Sequence, residues 1–452
     1  MAKRDWEGAT AVMDMENTAH NLPVFKGITL EAILSQQNLA EALRRVEANK
    51  GAPGVDGMRT DELRDYIYQH PGELRSAILS GKYRPAPVKR VTIPKPEKGK
   101  FRNLGIPTVI DRLVQQAVAQ VLSSHYDNMF STHSYGFRPG QRAQMAVLRV
   151  SGAAQAGYVW AVDMDLEKFF DMVSHSKLIE VLSHTITDGR VISLIHRYLN
   201  AGVIHCGNYE PSQLGVPQGG PLSPILSNII LNELDKELER RGHKFVRYAD
   251  DLVIFCKSRK AAKRTYEHIV PFIEKKLFLK VNKVKTKVAY IRNIKFLSYA
   301  FGRRSGKCQY RLHPESVQKM KAKIRELTSR SNGWSYEYRK HRLQWYIRGW
   351  SNYFSLAGYK PRLEEWDSWL RHRIRMCIWK SWKRVRTRLH NLEKFVSDKN
   401  RVRMAAFCRK SYWRMSQHPT VHEALSDERL FRAGYPTFTG CYVDFNKARG
   451  YY

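Results

Sequence analysis

The chain has 452 residues, with 77 Lys and Arg against 42 Asp and Glu, a formal net charge of +35, and 43% hydrophobic residues. That length predicts two to four domains, and that apolar fraction excludes a disordered basic tail. So large an excess of one sign opposes compaction and is sustained by a polyanion, either nucleic acid or an anionic membrane surface.

In chain order, residues 1–20 mix acids with apolar residues and lack the apolar stretch of a signal peptide. Residues 29–49 have the spacing of an amphipathic helix, and the Gly/Pro-rich loop KGAPGVDG follows at 50–57. Residues 88–94 read as a strand, 109–124 as a helix, 158–164 as a strand, and 244–256 as two strands around a tight acidic turn. The segments 315–329, 336–357 and 364–389 read as helices, which makes the C-terminal third mostly α. No window reaches the roughly 18 to 20 uncharged apolar residues of a membrane span, so no membrane partner is expected and nucleic acid leads. The cysteines, Cys206, Cys256, Cys308, Cys377, Cys408 and Cys441, are widely spaced, with no C-x-x-C pair. They predict reduced thiols in a cytosolic protein rather than a zinc ribbon or a disulfide framework.

Charge and tryptophan are unevenly spread. Residues 303–452 carry 34 Lys and Arg against 12 acids, and eight of the ten tryptophans lie between Trp334 and Trp413. A boundary is therefore expected near residue 305, in the polar stretch GRRSGK at 302–307. The part before it, with short β-rich runs between helices, reads as an α+β catalytic body.

In so basic a chain, acids standing among apolar residues are the informative positions. KFVRYADDLVIFC at 244–256 sets Asp250 and Asp251 at the tip of a hairpin. Adjacent like charges repel and want a cation beside them. AVDMDLEKFFD at 161–171 offers Asp163 and Asp165 at the end of another strand, both on one face by period two. Three carboxylates converging from two strands suit a pair of Mg²⁺ ions about 3.5 to 4 Å apart, the arrangement of phosphoryl transfer. Oxygen ligands without nearby His or Cys favour Mg²⁺ over zinc.

YADD at 248–251 resembles the signature tetrad of reverse transcriptases, and the surrounding segments resemble, in order, the blocks of group II intron-encoded reverse transcriptases. These are GAPGVDG at 51–57, IPKPEKGKFRNLGIPTVIDRLVQQAV at 93–118, SYGFRP at 134–139 and AVDMDLEKFFD at 161–171. GVPQGGPLSPILSNIILNELD at 215–235, KVKT at 283–286 and FLSYAF at 296–301 follow, and WYIRGWSNYF at 345–354 resembles the maturase-specific thumb.

The resemblance implies roles. Its first catalytic aspartate stands six residues before the Asp of FFD, which selects Asp165 over Asp163. Asp165, Asp250 and Asp251 would hold two Mg²⁺ ions, for which Mn²⁺ can substitute, with the Leu166 carbonyl as a further ligand. Phe170 matches the steric gate against a ribose 2′-OH, which implies dNTP substrates. Lys95 and Arg102 match finger residues that grip the triphosphate, and Gln218 matches the residue packed against the nucleotide, with Gly219 and Gly220 allowing close approach. Lys285 is the candidate general acid for the leaving pyrophosphate, with Lys283 and Lys287 close by. FLSY resembles the primer-holding hairpin. Tyr248 of the tetrad, Arg348 of the thumb helix, and Arg371, Arg375, Lys383 and Arg386 of the Trp-buried basic helix are the expected nucleic-acid contacts.

The fold implied is an α+β right-hand polymerase with fingers, palm and thumb. Residues 1–70 would form an N-terminal template-gripping extension, 71–305 the fingers and palm, 306–363 a helical thumb/maturase domain, and 364–452 a small basic helical DNA-binding domain. The expected partners are group II intron RNA, an RNA or DNA template with a DNA primer, dNTPs and target DNA, in a bacterial cytoplasm and at the nucleoid when mobile. Nothing in the sequence assigns an oligomeric state. His418 and His422 are spaced i, i+4 around Pro419 without further ligands and read as structural. Without the paired cysteines and clustered histidines of an HNH endonuclease, the chain most resembles the compact class C subclass, which takes its primer from elsewhere. The rival expectations are a splicing-only RNA-binding maturase and a host-adopted reverse transcriptase of DNA repair or phage defence.

Overall fold

The computed structural model describes residues 27–94, 99, 101–304, 307–358 and 360–448. Lys95 and residues 1–26 of the expected N-terminal extension lie outside them. The chain forms two compact units, Met1–Ile291 and Arg292–Tyr452.

In the first unit, the expected helix over 29–49 is two helices, α1 (Leu30–Ile33) and α2 (Gln36–Asn49). The interruption is Ser35, extended at φ −62° and ψ 144°, whose hydroxyl donates to Ala32 O at 2.9 Å. Ser, Thr, Asp and Asn compete for backbone groups in this way and favour helix starts. Strand β1 (Val88–Pro94) pairs antiparallel with β2 (Phe101–Ile106), the finger hairpin. Helix α3 (Val109–Tyr126) starts where Thr108 accepts from Asp111 N at 3.1 Å, and it runs almost wholly buried. Arg112 ties the GAPGVDG loop to its first turn by donating to Ala52 O and, at 3.1 Å, to Pro107 O.

Strand β3 (Trp160–Met164) is central to a second sheet. Beyond it, β4 (Val203–His205) joins β1 in parallel, and β5 (Asn208–Glu210) completes the first sheet in the order β2-β1-β4-β5. After helix α4 (Ser223–Arg240) come β6 (Lys244–Tyr248), β7 (Asp251–Cys256), helix α5 (Arg259–Lys276) and β8 (Lys287–Tyr290). The second sheet runs β6-β7-β3-β8, antiparallel throughout. Val162, Ile254 and Phe245 line up across it and are fully buried, so one face belongs to the core and the other is left for chemistry.

The second unit opens with β9 (Lys295–Phe296), β10 (Tyr299–Arg304) and β11 (Lys307–Leu312), a three-stranded sheet ordered β11-β10-β9. The compact division falls at 291/292, ahead of this sheet, and residue 305 lies outside the described residues. FLSY is a tight hairpin in which Phe296 pairs with Tyr299 across left-handed Leu297 (φ 48°) and Ser298 (φ 66°). Helices α6 (Pro314–Leu327), α7 (Tyr336–Tyr353) and α8 (Lys360–Ser381) follow, then α9 (Val385–Glu393) and, near the end, α10 (Phe438–Ala448). The single helix expected over 364–389 is broken after Ser381, where buried Trp382 turns the chain and Arg384 starts α9 in an extended conformation.

Most of the tryptophans serve this unit's core. Trp350 meets Trp366 at 5.7 Å and Phe438 at 5.4 Å, both edge to face, and Trp379 and Trp382 are buried. Trp345 is outside that core, being 43% exposed. His418 accepts from Thr420 N at the start of a short helix, a structural position.

Candidate active site

The register of the second sheet places the acids. Asp163 pairs with Val253 on one side and Lys287 on the other, and Met164 pairs with Leu252. β3 ends at Met164, and past it the pairing shifts: Asp165 O accepts from Asn282 N and Leu166 bridges Val281, with Lys285 in the turn before β8. Asp250, Asp163 and Asp165 all act on the Asp251 carboxyl, so the four acids lie within one another's field. Two lysines flank them, with Lys287 Nζ 3.5 Å from Asp163 and Lys285 Nζ 3.5 Å from Asp165.

Just past β3 the backbone is pinned. Asn282 N donates to Asp165 O at 2.9 Å, Glu167 N donates to Lys280 O at 2.8 Å, and Asp165 N donates to the Thr286 hydroxyl at 3.2 Å. Leu166 is therefore the non-hydrogen-bonded member of its bridge to Val281, and its own carbonyl points away from that segment.

The acidic turn is a two-residue link in which Tyr248 pairs with Asp251. Ala249, at its first central position, has φ 54°, left-handed for a residue with a Cβ. Gly136 of SYGFRP lies under it, and a Cβ there would strike Ala249 N. On its other side Arg247, 1% exposed, donates through Nη1 to Ala249 O at 3.1 Å and to Asn228 Oδ1 at 2.9 Å. Its Nε and Nη2 fork onto fully buried Asp235 at 2.8 and 2.5 Å. Arg247, Asn228 and Asp235 are not among the residues expected from the sequence. Their signal was present: Asn228 and Asp235 are two turns apart on an apolar helix, where polar side chains demand buried partners.

Repulsion marks the cluster. Asp251 is pushed up to about 7, by the protein packed around its carboxyl first, then by the charges of Asp250, Asp163 and Asp165, against Lys285. Its side chain nonetheless reaches solvent, so the repulsion that a cation relieves is the part with chemical consequence. Asp250 is raised by burial and by Asp165, against the charges of Arg102 and Arg247, and Asp163 is raised by burial against Lys287. Among the described residues no three His, Cys, Asp or Glu side chains close into a ready metal cage. What the sheet presents is a mutually repelling set of oxygen donors flanked by two mobile ammonium groups, and that donor set fits Mg²⁺.

The nucleotide-side residues meet one another. Arg102 Nε donates to Gln218 Oε1 at 2.6 Å, and Gly105 N donates to Gln218 O at 2.6 Å. Gly219, at φ 119°, presses on Gly105 O, and a Cβ on Gly220 would strike Gln115 Oε1, so both glycines are needed for close approach. Val216 N donates to Phe170 O at 2.6 Å, tying this segment to the FFD triplet. The Phe170 ring is 9% exposed and packs edge-on against Phe169 at 5.2 Å, within the core. Lys95 is not among the described residues.

The expected nucleic-acid contacts divide. Arg348, Lys383 and Arg386 are exposed, and Tyr248 is half-buried beside the turn. Lys383 lies in the link before α9 and Arg386 on α9 itself. Arg375 is not a surface contact: it is 4% exposed, pairs with Asp427 and donates to Leu425 O at 2.8 Å. Arg371 shares Asp427 at 2.6 Å. The helical face carrying these two arginines packs against the segment around Asp427, a partner 50 residues away that helix periodicity alone does not reveal.

Residues 93–301 match the family described as Reverse transcriptase (RNA-dependent DNA polymerase), and residues 317–395 match Group II intron, maturase-specific domain. Protein YkfC of Escherichia coli (strain K12) is 34% identical over 304 residues, 58% of this chain and 80% of that protein. Group II intron-encoded protein LtrA of Lactococcus lactis subsp. cremoris is 35% identical over 212 residues, 47% of this chain. The match spans 35% of LtrA. Among solved structures, a chain of a partial Cas6-RT-Cas1–Cas2 complex is similar over 55% of this chain and 42% of its own, at 24% identity and a TM-score of 0.34.

Proposed function

The chain belongs to the family of group II intron-encoded reverse transcriptases and maturases, and on that premise we propose how its site works and what it acts on. Membership makes it an RNA-directed DNA polymerase that carries an intron RNA-binding maturase segment. Its substrates are an RNA or DNA template, a DNA primer and dNTPs. The finer partners are its own intron RNA, bound to assist splicing, and a target DNA, copied into by target-primed synthesis during retromobility. Its place of action is the cytoplasm, and the nucleoid when mobile. Among the described residues no helix is long and apolar enough to cross a membrane.

The observation that carries the proposal is the meeting of Asp165, just past β3, with Asp250 and Asp251 at the β6–β7 turn, each within the others' field, with Arg102 in the field of Asp250 and bonded to Gln218. Two Mg²⁺ ions, replaceable by Mn²⁺, supply when bound an activated primer hydroxyl and a stabilised leaving group. Asp165, Asp250, Asp251 and the Leu166 carbonyl would hold them. Arg102 offers a planar fork to the triphosphate and Gln218 keeps that fork aimed, while Lys95 is the second expected cation, by resemblance alone. Gly219 and Gly220 let the nucleotide lie against backbone. Phe170, fixed through its carbonyl to Val216, would exclude a 2′-hydroxyl. Lys285 Nζ, held beside Asp165, carries the proton that the leaving pyrophosphate takes.

The test is Asp250→Ala with Asp251→Ala. Primer extension on an RNA template should vanish while intron RNA binding and splicing persist, and surviving extension would mean that the carboxylates are misassigned. Sequencing of copurified RNA checks the partner. One structured intron supports the maturase reading, and a random mixture overturns it.

A further inference from the structure

We propose that Arg247 is the positioning residue of the catalytic turn. Clamped by Asp235 and Asn228, its guanidinium holds the Ala249 carbonyl and so fixes the backbone that presents Asp250 and Asp251.

The turn needs such a hold. A two-residue link has little slack, and Ala249 sits at φ 54°, a conformation that a residue with a Cβ keeps when its surroundings over-determine it. Two contacts grip it from opposite sides. Gly136 presses on Ala249 N, and Arg247 Nη1 takes Ala249 O at 3.1 Å. One side chain joins the two grips: Asn228 receives Arg247 Nη1 on Oδ1 at 2.9 Å and donates from Nδ2 to Gly136 O at 2.8 Å. The backbone of Arg247 is also fixed, donating to His133 O and accepting from Tyr135 N, each at 2.9 Å. The assembly draws on 133–136, on α4 and on the β6–β7 turn, and a shift in any of them is transmitted to Asp250.

Stability alone does not call for this arrangement. Asp235 is 0% exposed and Arg247 1%, and a fully buried ion pair replaced as a unit by apolar side chains is often neutral or stabilising. What an apolar pair does not reproduce is the donor to Ala249 O. Lysine does not reproduce it either, because a single ammonium cannot fork onto Asp235 while also reaching Asn228 and Ala249.

The experiment uses Asp235→Leu with Arg247→Met, which removes both buried charges together, and Arg247→Lys, which keeps the charge pair and lacks the fork. The inference rests on the carboxylate site above, so Asp165→Asn serves as the control for that reading. Folding is read by thermal melting, turnover by single-nucleotide extension, and metal affinity by Mn²⁺ titration of the enzyme without nucleic acid, followed by electron paramagnetic resonance. In folded double variant, kcat should fall about 10- to 100-fold, the loss expected from misplacing reacting groups by about 1 Å. The dNTP KM should move less than about threefold and Mn²⁺ affinity should weaken about tenfold, by the same misplacement argument. Arg247→Lys should show the same pattern more mildly and decides the matter if the double variant does not fold. Wild-type kcat and Mn²⁺ affinity in either folded variant would overturn the inference. Activity retained in Asp165→Asn would instead overturn the site reading itself.

Discussion

Asp163 and Asp165 each meet a lysine at 3.5 Å, yet they should answer substitution in opposite ways. Asp165 lies just past the end of β3, its backbone held by Asn282 N and the Thr286 hydroxyl, whereas Asp163 lies within the sheet opposite Val253. Asp165→Asn removes one of three carboxylates from a site whose ions supply several kcal/mol of transition-state stabilisation. At about 1.4 kcal/mol per decade, kcat should fall on the order of 10³-fold. Asp163→Asn breaks an ion pair whose side chains are 48% and 23% exposed, and such pairs are worth about 0 to 1 kcal/mol. Its kcat should stay within about fivefold of wild type, the equivalent of 1 kcal/mol. The assay is single-nucleotide extension of a DNA primer on an RNA template at saturating dNTP and Mg²⁺, with a thermal melt showing both variants folded. Equal losses in the two variants, or an active Asp165→Asn enzyme, would refute the choice of Asp165 over Asp163.

Three further outcomes are expected. Gly219→Ala, which forces a Cβ into φ 119° against Gly105 O, should raise the dNTP KM about tenfold, since strain of this kind costs about 1 to 3 kcal/mol. Arg375→Ala should lower stability to denaturant by about 1 to 3 kcal/mol through its lost bonds to Asp427 and Leu425 O. The same variant should leave the salt dependence of nucleic-acid binding unchanged, whereas Lys383→Ala and Arg386→Ala should each reduce that slope by about 1 and spare stability. Asp188 is held down to about 2, first by its hydrogen bond from the Arg190 guanidinium and also by Leu30 N. Its folded pKa is below the ordinary 3.8, so its contribution is complete above about pH 4 and is lost as pH falls toward 2. Asp188→Asn should flatten that acid limb in melts recorded across pH.

What was legible in the sequence is what local patterning controls. The finger strand 88–94 and the hairpin 244–256 fall where alternation and the acidic tip put them, because period two and a two-residue turn are local constraints. Period two could not separate Asp163 from Asp165, and the choice of Asp165 came from the family spacing; what the fold adds is that Asp163 is paired inside the sheet with strands from 251–256 and 287–290, while Asp165 lies past its end. Helix breaks at Ser35 and Trp382 were missed for different reasons. Ser35 is a capping residue inside a periodic run, whereas Trp382 carries no breaker and turns because its ring is taken into the core. The Arg247 assembly joins three distant segments, and only Asn228 and Asp235, polar on an apolar helix, hinted at it.

The same distinction alters what the charge of +35 means. Read as composition, every surplus cation was available to a phosphate backbone. In the folded chain Arg112, Arg138, Arg247, Arg339 and Arg375 are all less than 9% exposed. Arg112 and Arg138 donate to backbone carbonyls of nearby loops, Arg138 also pairs with Asp127, and Arg247 and Arg375 pair with acids. Held in loops, a turn and a helix, these cations do not reach phosphate and displace no counterions from it. Counterion release counts cations that reach phosphate. The salt slope of binding should therefore follow exposed residues such as Arg348, Lys383 and Arg386. Neutralising buried arginines should change stability and geometry in its place.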